Sequence, residues 1–122
     1  MIPKPRTVLT LPEFDTGRYE DCDFLMSGGD AYLTIRVEAM PQTRIQFSRV
    51  RWHEFTALYN CSPEQIKSAY FALVEIVDSP SLAAYIAADK ASAKAYSELH
   101  HYRIFLDETG CHELFAQSYA AL

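Results

Sequence analysis

Glycine is scarce in this chain, four in 122 residues, and the four fall where neither a P-loop, a G-x-G-x-x-G turn nor a G-x-S-x-G elbow can be written. The commonest phosphate-cradling and serine-nucleophile signatures are therefore missing, as is H-E-x-x-H. Cysteine is equally sparse. Cys22, Cys61 and Cys111 are odd in number and far apart, with no C-x-x-C, which removes zinc-ribbon and thioredoxin readings and leaves free thiols in a reducing cytoplasm. The longest mainly apolar run, Tyr70 to Val77, is interrupted by Glu75 and is far too short to span a bilayer. The opening Met1-Ile2-Pro3-Lys4-Pro5-Arg6 has no apolar h-region, so no signal peptide is expected. Eleven basic residues face sixteen acidic ones, for a net charge of −5 and a pI near 5.3, which argues against nucleic acid as the main partner. A cytoplasmic chain with neither a membrane nor a nucleic-acid partner is expected.

What is present is enough for one core. A chain of 13.9 kDa buries about two-thirds of its surface on folding, and 49% of its residues are apolar or aromatic. Residues 1–122 therefore read as a single domain. The first nineteen, with Pro3, Pro5, Pro12 and Gly17, read as an irregular arm holding one extended piece at Thr7 to Leu11. Cys22 to Ser27 is strand-like and stops at Gly28-Gly29-Asp30. In the clearest strand, Ala31, Leu33, Ile35, Val37 and Ala39 alternate with Tyr32, Thr34, Arg36 and Glu38, one face dry and the other wet. A further strand starts at Arg44. Its inward parity, Ile45 and Phe47, slips before Val50 and Trp52, so a β-bulge is expected near Ser48-Arg49. Phe55, Leu58 and Tyr59 then suit a helical turn.

Ser62-Pro63-Glu64-Gln65 has the form of a capping box with proline at the first helical position. Ile66, Tyr70, Leu73 and Val77 follow at helical spacing, so an amphipathic helix is expected to run to Val77, ended by Asp78. Ser79-Pro80 repeats the cap signature for a second, alanine-rich helix to about Asp89, with a continuation toward Leu99. The chain closes with a hairpin. Tyr102, Ile104 and Leu106 share a face with Leu114 and Ala116 if the loop is Glu108-Thr109-Gly110, and Arg103 then pairs with Phe115 beside Phe105 and Glu113. The architecture expected is α+β: an antiparallel sheet of five to six strands with two helices on one face, in the order β-β-β-β-α-α-β-β.

Chemistry is harder to find than surface. His100 and His101, adjacent on a strand, point to opposite faces, and His101 and His112 fall on opposite faces of the hairpin, so no metal site is expected. Cys111 beside His112 does not make a thiol–imidazole pair, because strand neighbours face apart. No catalytic residue and no cofactor is expected. A hydrolytic role would require His101, His112, Glu113 or Cys111 to converge with residues from elsewhere in the chain. Residues 13–30 carry −5 and residues 31–53 carry +3, two surfaces that can compensate each other. Aromatics are in excess, at 13%. Tyr32, Phe105 and Phe115 fall on faces assigned outward, so either a helix or the arm covers them or they form a binding patch. The candidate partner surface is Tyr32, Arg36, Arg49, Arg51, Arg103, Phe105, Glu113 and Phe115.

The run from His101-Tyr102 through Asp107-Glu108-Thr109-Gly110 to Glu113-Leu114-Phe115-Ala116-Gln117-Ser118 resembles the ending of small bacterial proteins of the toxin-immunity kind. The Phe47 to Val50 strand end, the Ser62-Pro63 helix start and the Asp78-Ser79 junction are similar too. The resemblance implies an antiparallel sheet with helices against it and a non-enzymatic, protein-binding role as an inhibitor of a bacterial toxin. The partner expected is another protein or a second copy of this chain. The alternatives are a small-ligand binder using the sheet–helix crevice, and a small hydrolase.

Overall fold

Nine strands and two helices follow one another in the computed structural model, which describes residues 2–88 and 99–122. In chain order they are β1 (Lys4–Thr10), β2 (Tyr19–Ser27), β3 (Asp30–Val37), β4 (Thr43–Ser48), β5 (Trp52–Ala57), α1 (Pro63–Ala69), β6 (Ala72–Val77), α2 (Pro80–Ala88), β7 (His100–Leu106), β8 (Gly110–Ala116) and β9 (Ser118–Ala121). The class is α+β. The strands, however, form two antiparallel sheets rather than one, ordered β1-β6-β7-β8-β5 and β2-β3-β4-β9.

The alternation of β3 decides how the two sheets meet. Ala31, Leu33 and Ile35 are buried and face the first sheet with Ile45 and Phe47 of β4, while Tyr32, Thr34 and Arg36 face outward. Tyr102, Ile104, Leu106, Leu114 and Ala116 complete that inter-sheet core, as the hairpin pattern requires. The first sheet is buried on its other face as well. There Val74, Ile76, Phe105 and Cys111 pack with Ala69 of α1. The molecule is thus layered as sheet, sheet, helices, with both helices on one face of the five-stranded sheet.

Several local expectations change. The arm contains a full strand: β1 adds to the edge of the first sheet beside β6, where the prolines at 3 and 5 cost no central ladder bond. The parity slip after Phe47 is not a bulge. Arg49 adopts a left-handed conformation (φ 52°) and Val50 donates its N–H to Gly29 O, so the chain leaves β4 in one sheet and enters β5 in the other. Trp52 to Ala57 is strand, and only Leu58–Asn60 makes the helical turn. The helix from Pro63 ends at Ala69. Phe71 takes φ 49° and Ala72 to Val77 become strand β6, flanked by β1 and β7. A strand buried on both faces shows no apolar–polar alternation, and its branched Val74, Ile76 and Val77 favour the extended form. β9 was not foreseen. The continuation of α2 toward Leu99 lies outside the described residues.

The hairpin register also moves. Leu106 pairs with Gly110 across a loop of Asp107, Glu108 and Thr109, with Glu108 left-handed at φ 65°. Arg103 therefore lies opposite Glu113, not Phe115. The glycine is required by the neighbouring strand rather than the turn: a Cβ on Gly110 would sit 2.2 Å from the Thr56 carbonyl oxygen of β5, at a backbone φ of 144° that side chains rarely adopt.

Candidate functional site

The new register carries the main consequence. His101 and Arg103 are two apart on β7 and so share a face, and Glu113 on β8 lies opposite one and diagonal to the other. A single carboxylate oxygen, Glu113 Oε1, accepts from both, His101 Nε2 at 2.8 Å and Arg103 Nε at 2.9 Å. The helices supply the remaining partners. Gln65 stands at the third position of α1, where its Oε1 closes the capping box on the Ser62 N–H. Its Nε2 is left to donate to Glu113 Oε2 at 3.0 Å. One turn of the same helix gives Arg103 Nη1 two acceptors, Glu64 Oε2 at 2.6 Å and Ser68 Oγ at 2.9 Å.

The chain of bonds ends at the start of α2. Asp78 is left-handed (φ 57°) and turns β6 sharply into the helix, which points the Ser79 hydroxyl back at the sheet. Ser79 Oγ accepts the Leu82 N–H at 3.1 Å, as a helix cap does, and lies 2.7 Å from His101 Nδ1. Burial pushes the Glu113 carboxyl up, but the His101 hydrogen bond and the Arg103 charge outweigh it and bring the group down to about 2. An ionised carboxylate only accepts, so His101 carries a proton on Nε2, and its Nδ1 is the atom that faces the Ser79 hydroxyl. Ser79, His101 and Glu113 are all buried. They form a serine–imidazole–carboxylate string drawn from three separate elements.

Beside it is a crevice of about 300 Å³ between β6 and α2, lined by Ile76, Val77, Ser79, Leu82, Ile86 and His101, among others. Its walls are mainly aliphatic. A crevice thus lies between sheet and helix, bordered by the serine and the imidazole, but no Phe, Tyr or Trp side chain lines it among the described residues.

A pair of histidines lies on the opposite face of the same sheet, His112 on β8 and His53 on β5. His53 Nε2 and His112 Nδ1 are 3.0 Å apart, and Phe24 of β2 stacks over both rings, at 3.9 and 5.1 Å between centroids. His112 Nε2 is buried without a partner. Burial, reinforced by the neighbouring His53, pushes His112 down to about 4, and burial lowers His53 as well. Cys111 turns away from these rings into the core beneath α1, where burial pushes its thiol far up. Among the described residues no three His, Cys, Asp or Glu side chains are placed to hold a metal ion.

The candidate partner surface divides in two. Arg103, Phe105, Glu113 and Phe115 are buried, and they leave the surface because α1 and α2 cover that face of the hairpin. Tyr85 of α2 packs edge-on against Phe115, and Tyr70 stacks on Phe105. Tyr32 and Arg36 stay on the outer face of the four-stranded sheet. There Arg36 pairs with Asp21 and Asp23 of β2, the guanidinium of Arg44 lies over Tyr32, and Gln46 bonds the Tyr32 hydroxyl. Arg49 and Arg51 are exposed on the crossover between sheets. The opposite charges of residues 13–30 and 31–53 therefore meet partly across β2 and β3.

Both sheets end side by side at β2 and β5, which touch through the Phe24–His53 stack. Four of the large apolar side chains left exposed away from the chain ends lie on or next to these strands: Leu25 at 61% and Met26 at 47% on β2, Phe55 at 46% on β5, and Tyr59 just beyond it; a further one, Tyr70, follows α1. This edge did not stand out in the sequence as a surface: Leu25 and Met26 read as ordinary positions of a strand, and Phe55 and Tyr59 as part of a helical turn, whereas Phe55 is in β5. Ser79 was legible only as a cap; its second role depends on β6 lying beside β7.

No family model matches the chain, no curated protein is similar to it, and no solved structure matches its fold. Among the described residues no helix is long and apolar enough to cross a membrane.

Proposed function

We propose that this chain is a protein-binding module that engages its partner through the β2–β5 edge and the adjoining outer face with Tyr32 and Arg36. The observation that supports this most is that Leu25, Met26 and Phe55, all exposed, stand on the two border strands β2 and β5, which lie side by side. Soluble chains blunt such edges with charge and proline, as β1 does here, unless the edge is covered by something. Apolar and aromatic groups rimmed by Arg36, Asp21 and Asp23 have the composition of an interface centre with a polar rim. The resemblance of the ending to immunity proteins makes a bacterial toxin the partner of choice, and the chain its inhibitor in the cytoplasm. Tagged wild-type protein is expected to retain one stoichiometric partner from host lysate, and a Met26→Glu/Phe55→Glu variant to lose it while keeping its circular dichroism. Equal retention by both proteins sinks the proposed edge; no retained partner sinks the binding module.

A second reading, a small-ligand binder, draws support from the crevice of about 300 Å³ between β6 and α2, a volume at the lower end of ligand pockets.

A further inference from the structure

The Ser79–His101–Glu113 string has the connectivity that activates a serine: hydroxyl to imidazole, and the opposite ring N–H to an ionised carboxylate. The carboxylate is itself fixed by Arg103 and Gln65, so the tautomer and ring orientation of His101 are set before any ligand arrives. A buried serine that only caps a helix needs the bond to Leu82 N–H and no imidazole. Here it has both, at the wall of a crevice, on a sharp strand-to-helix turn held by a left-handed Asp78. Ser81 places a second hydroxyl 3.2 Å from Ser79 Oγ, within hydrogen-bond reach of the same oxygen.

We infer that Ser79 is an acyl-accepting nucleophile and that the crevice takes the acyl part of a small carboxylic ester. This goes beyond the binding module and shares with the small-ligand reading only the need for the crevice to admit a molecule. The aliphatic side chains Val77, Leu82, Ile86 and Leu99 suit a short unbranched chain, and among the described residues Glu75 and Asp78 on the same lining disfavour a negatively charged one. In the reaction, Ser79 Oγ bonds to the carbonyl carbon as its proton passes to His101 Nδ1. The ester C–O bond then breaks, and the leaving alcohol oxygen takes that proton. Water repeats the sequence on the acyl-serine: its proton goes to Nδ1, its oxygen to the acyl carbon, and the Ser79 oxygen leaves with the proton restored. His101 is the catalytic base, and Glu113 is a positioning residue that acts through it.

The test is intact-mass analysis of the full chain after incubation with an alkyl fluorophosphonate, beside hydrolysis of p-nitrophenyl butyrate. One covalent adduct mapping to Ser79 is expected, absent from Ser79→Ala. His101→Gln, which keeps Ser79 and its cap, is expected to lose labelling and turnover by about 10²–10⁴-fold, the range of general-base catalysis. Glu113→Gln should shift the pH profile of turnover, which a merely structural carboxylate would not do. No adduct on the folded wild type, or equal labelling of His101→Gln, overturns the inference and leaves Ser79 as a helix cap. Perturbation of crevice resonances by butyrate with no adduct would overturn the chemistry while sparing the ligand-binding reading.

Discussion

The same two strands, β7 and β8, are closed on both faces, and they are closed in two different ways. On the face toward the second sheet, Tyr102, Ile104, Leu106, Leu114 and Ala116 bury mostly hydrocarbon, with His112 as the polar exception toward β5. On the face toward the helices, His101, Arg103 and Glu113 are buried as well, but as a hydrogen-bonded set completed by Ser79, Gln65, Glu64 and Ser68. The first kind of closure tolerates any apolar group of the right volume. The second requires every partner, since a buried charge that loses its counter-group keeps the whole desolvation cost. Adjacent residues of one strand are therefore under different rules.

The largest effect should come from breaking the polar face. Glu113→Ala removes the acceptor that Arg103 Nε and His101 Nε2 share and is expected to cost about 3–5 kcal/mol in chemical denaturation. Replacing the pair together, Glu113→Leu with Arg103→Met, should cost less than the single change; the reverse order would show that the ions stabilise the fold outright. On the dry face, Leu114→Ala is expected to cost about 2–5 kcal/mol through lost burial and a residual cavity. No partner change should rescue it.

Acid sharpens the contrast, because His112 and Glu113 are neighbours on opposite faces. His112 titrates at about 4 in the fold against 6.5 in the unfolded chain, so the unfolded state binds more protons between those values. Stability is full above 6.5 and falls as the pH drops toward 4, by about 3 kcal/mol. Glu113 acts in a lower window, with stability present above 4.5 and lost as the pH falls toward about 2. Denaturation midpoints followed from pH 8 to 2 should show two steps, and His112→Phe should shrink the upper one to the part that His53 contributes while leaving the lower one in place. The smallest effect is expected for Ser79→Ala, about 0.5–2 kcal/mol for a lost cap. A loss well above that range would mean that His101 depends on the hydroxyl for its own burial.

How much of this could be read from residues follows the range of each signal. The alternation of β3 and the Ser62-Pro63-Glu64-Gln65 cap are local, and both are where the sequence puts them. β6 escaped because a strand with neighbours and cover on both sides has no reason to alternate, and Ile66, Tyr70, Leu73 and Val77 happen to fit a helix. The crossover at Arg49 mimicked a bulge because either device flips parity by one residue. The hairpin register went astray because Gly110 answers to Thr56, more than fifty positions earlier. That one displacement hid the opposition of Arg103 and Glu113, and with it the polar face. Ser79 and His101 are separated by 22 residues, so their bond exists only once β6 and β7 are neighbours.

The close approach at Gly110 also bears on how the protein stays apart from itself. β5 seats on β8 only because a methyl group is missing there. Alanine at that position would lift the border strand away and leave the β8 backbone unpaired, an open template for another chain to complete. The seating of the border strand depends, at that point, on a single hydrogen atom in place of a carbon.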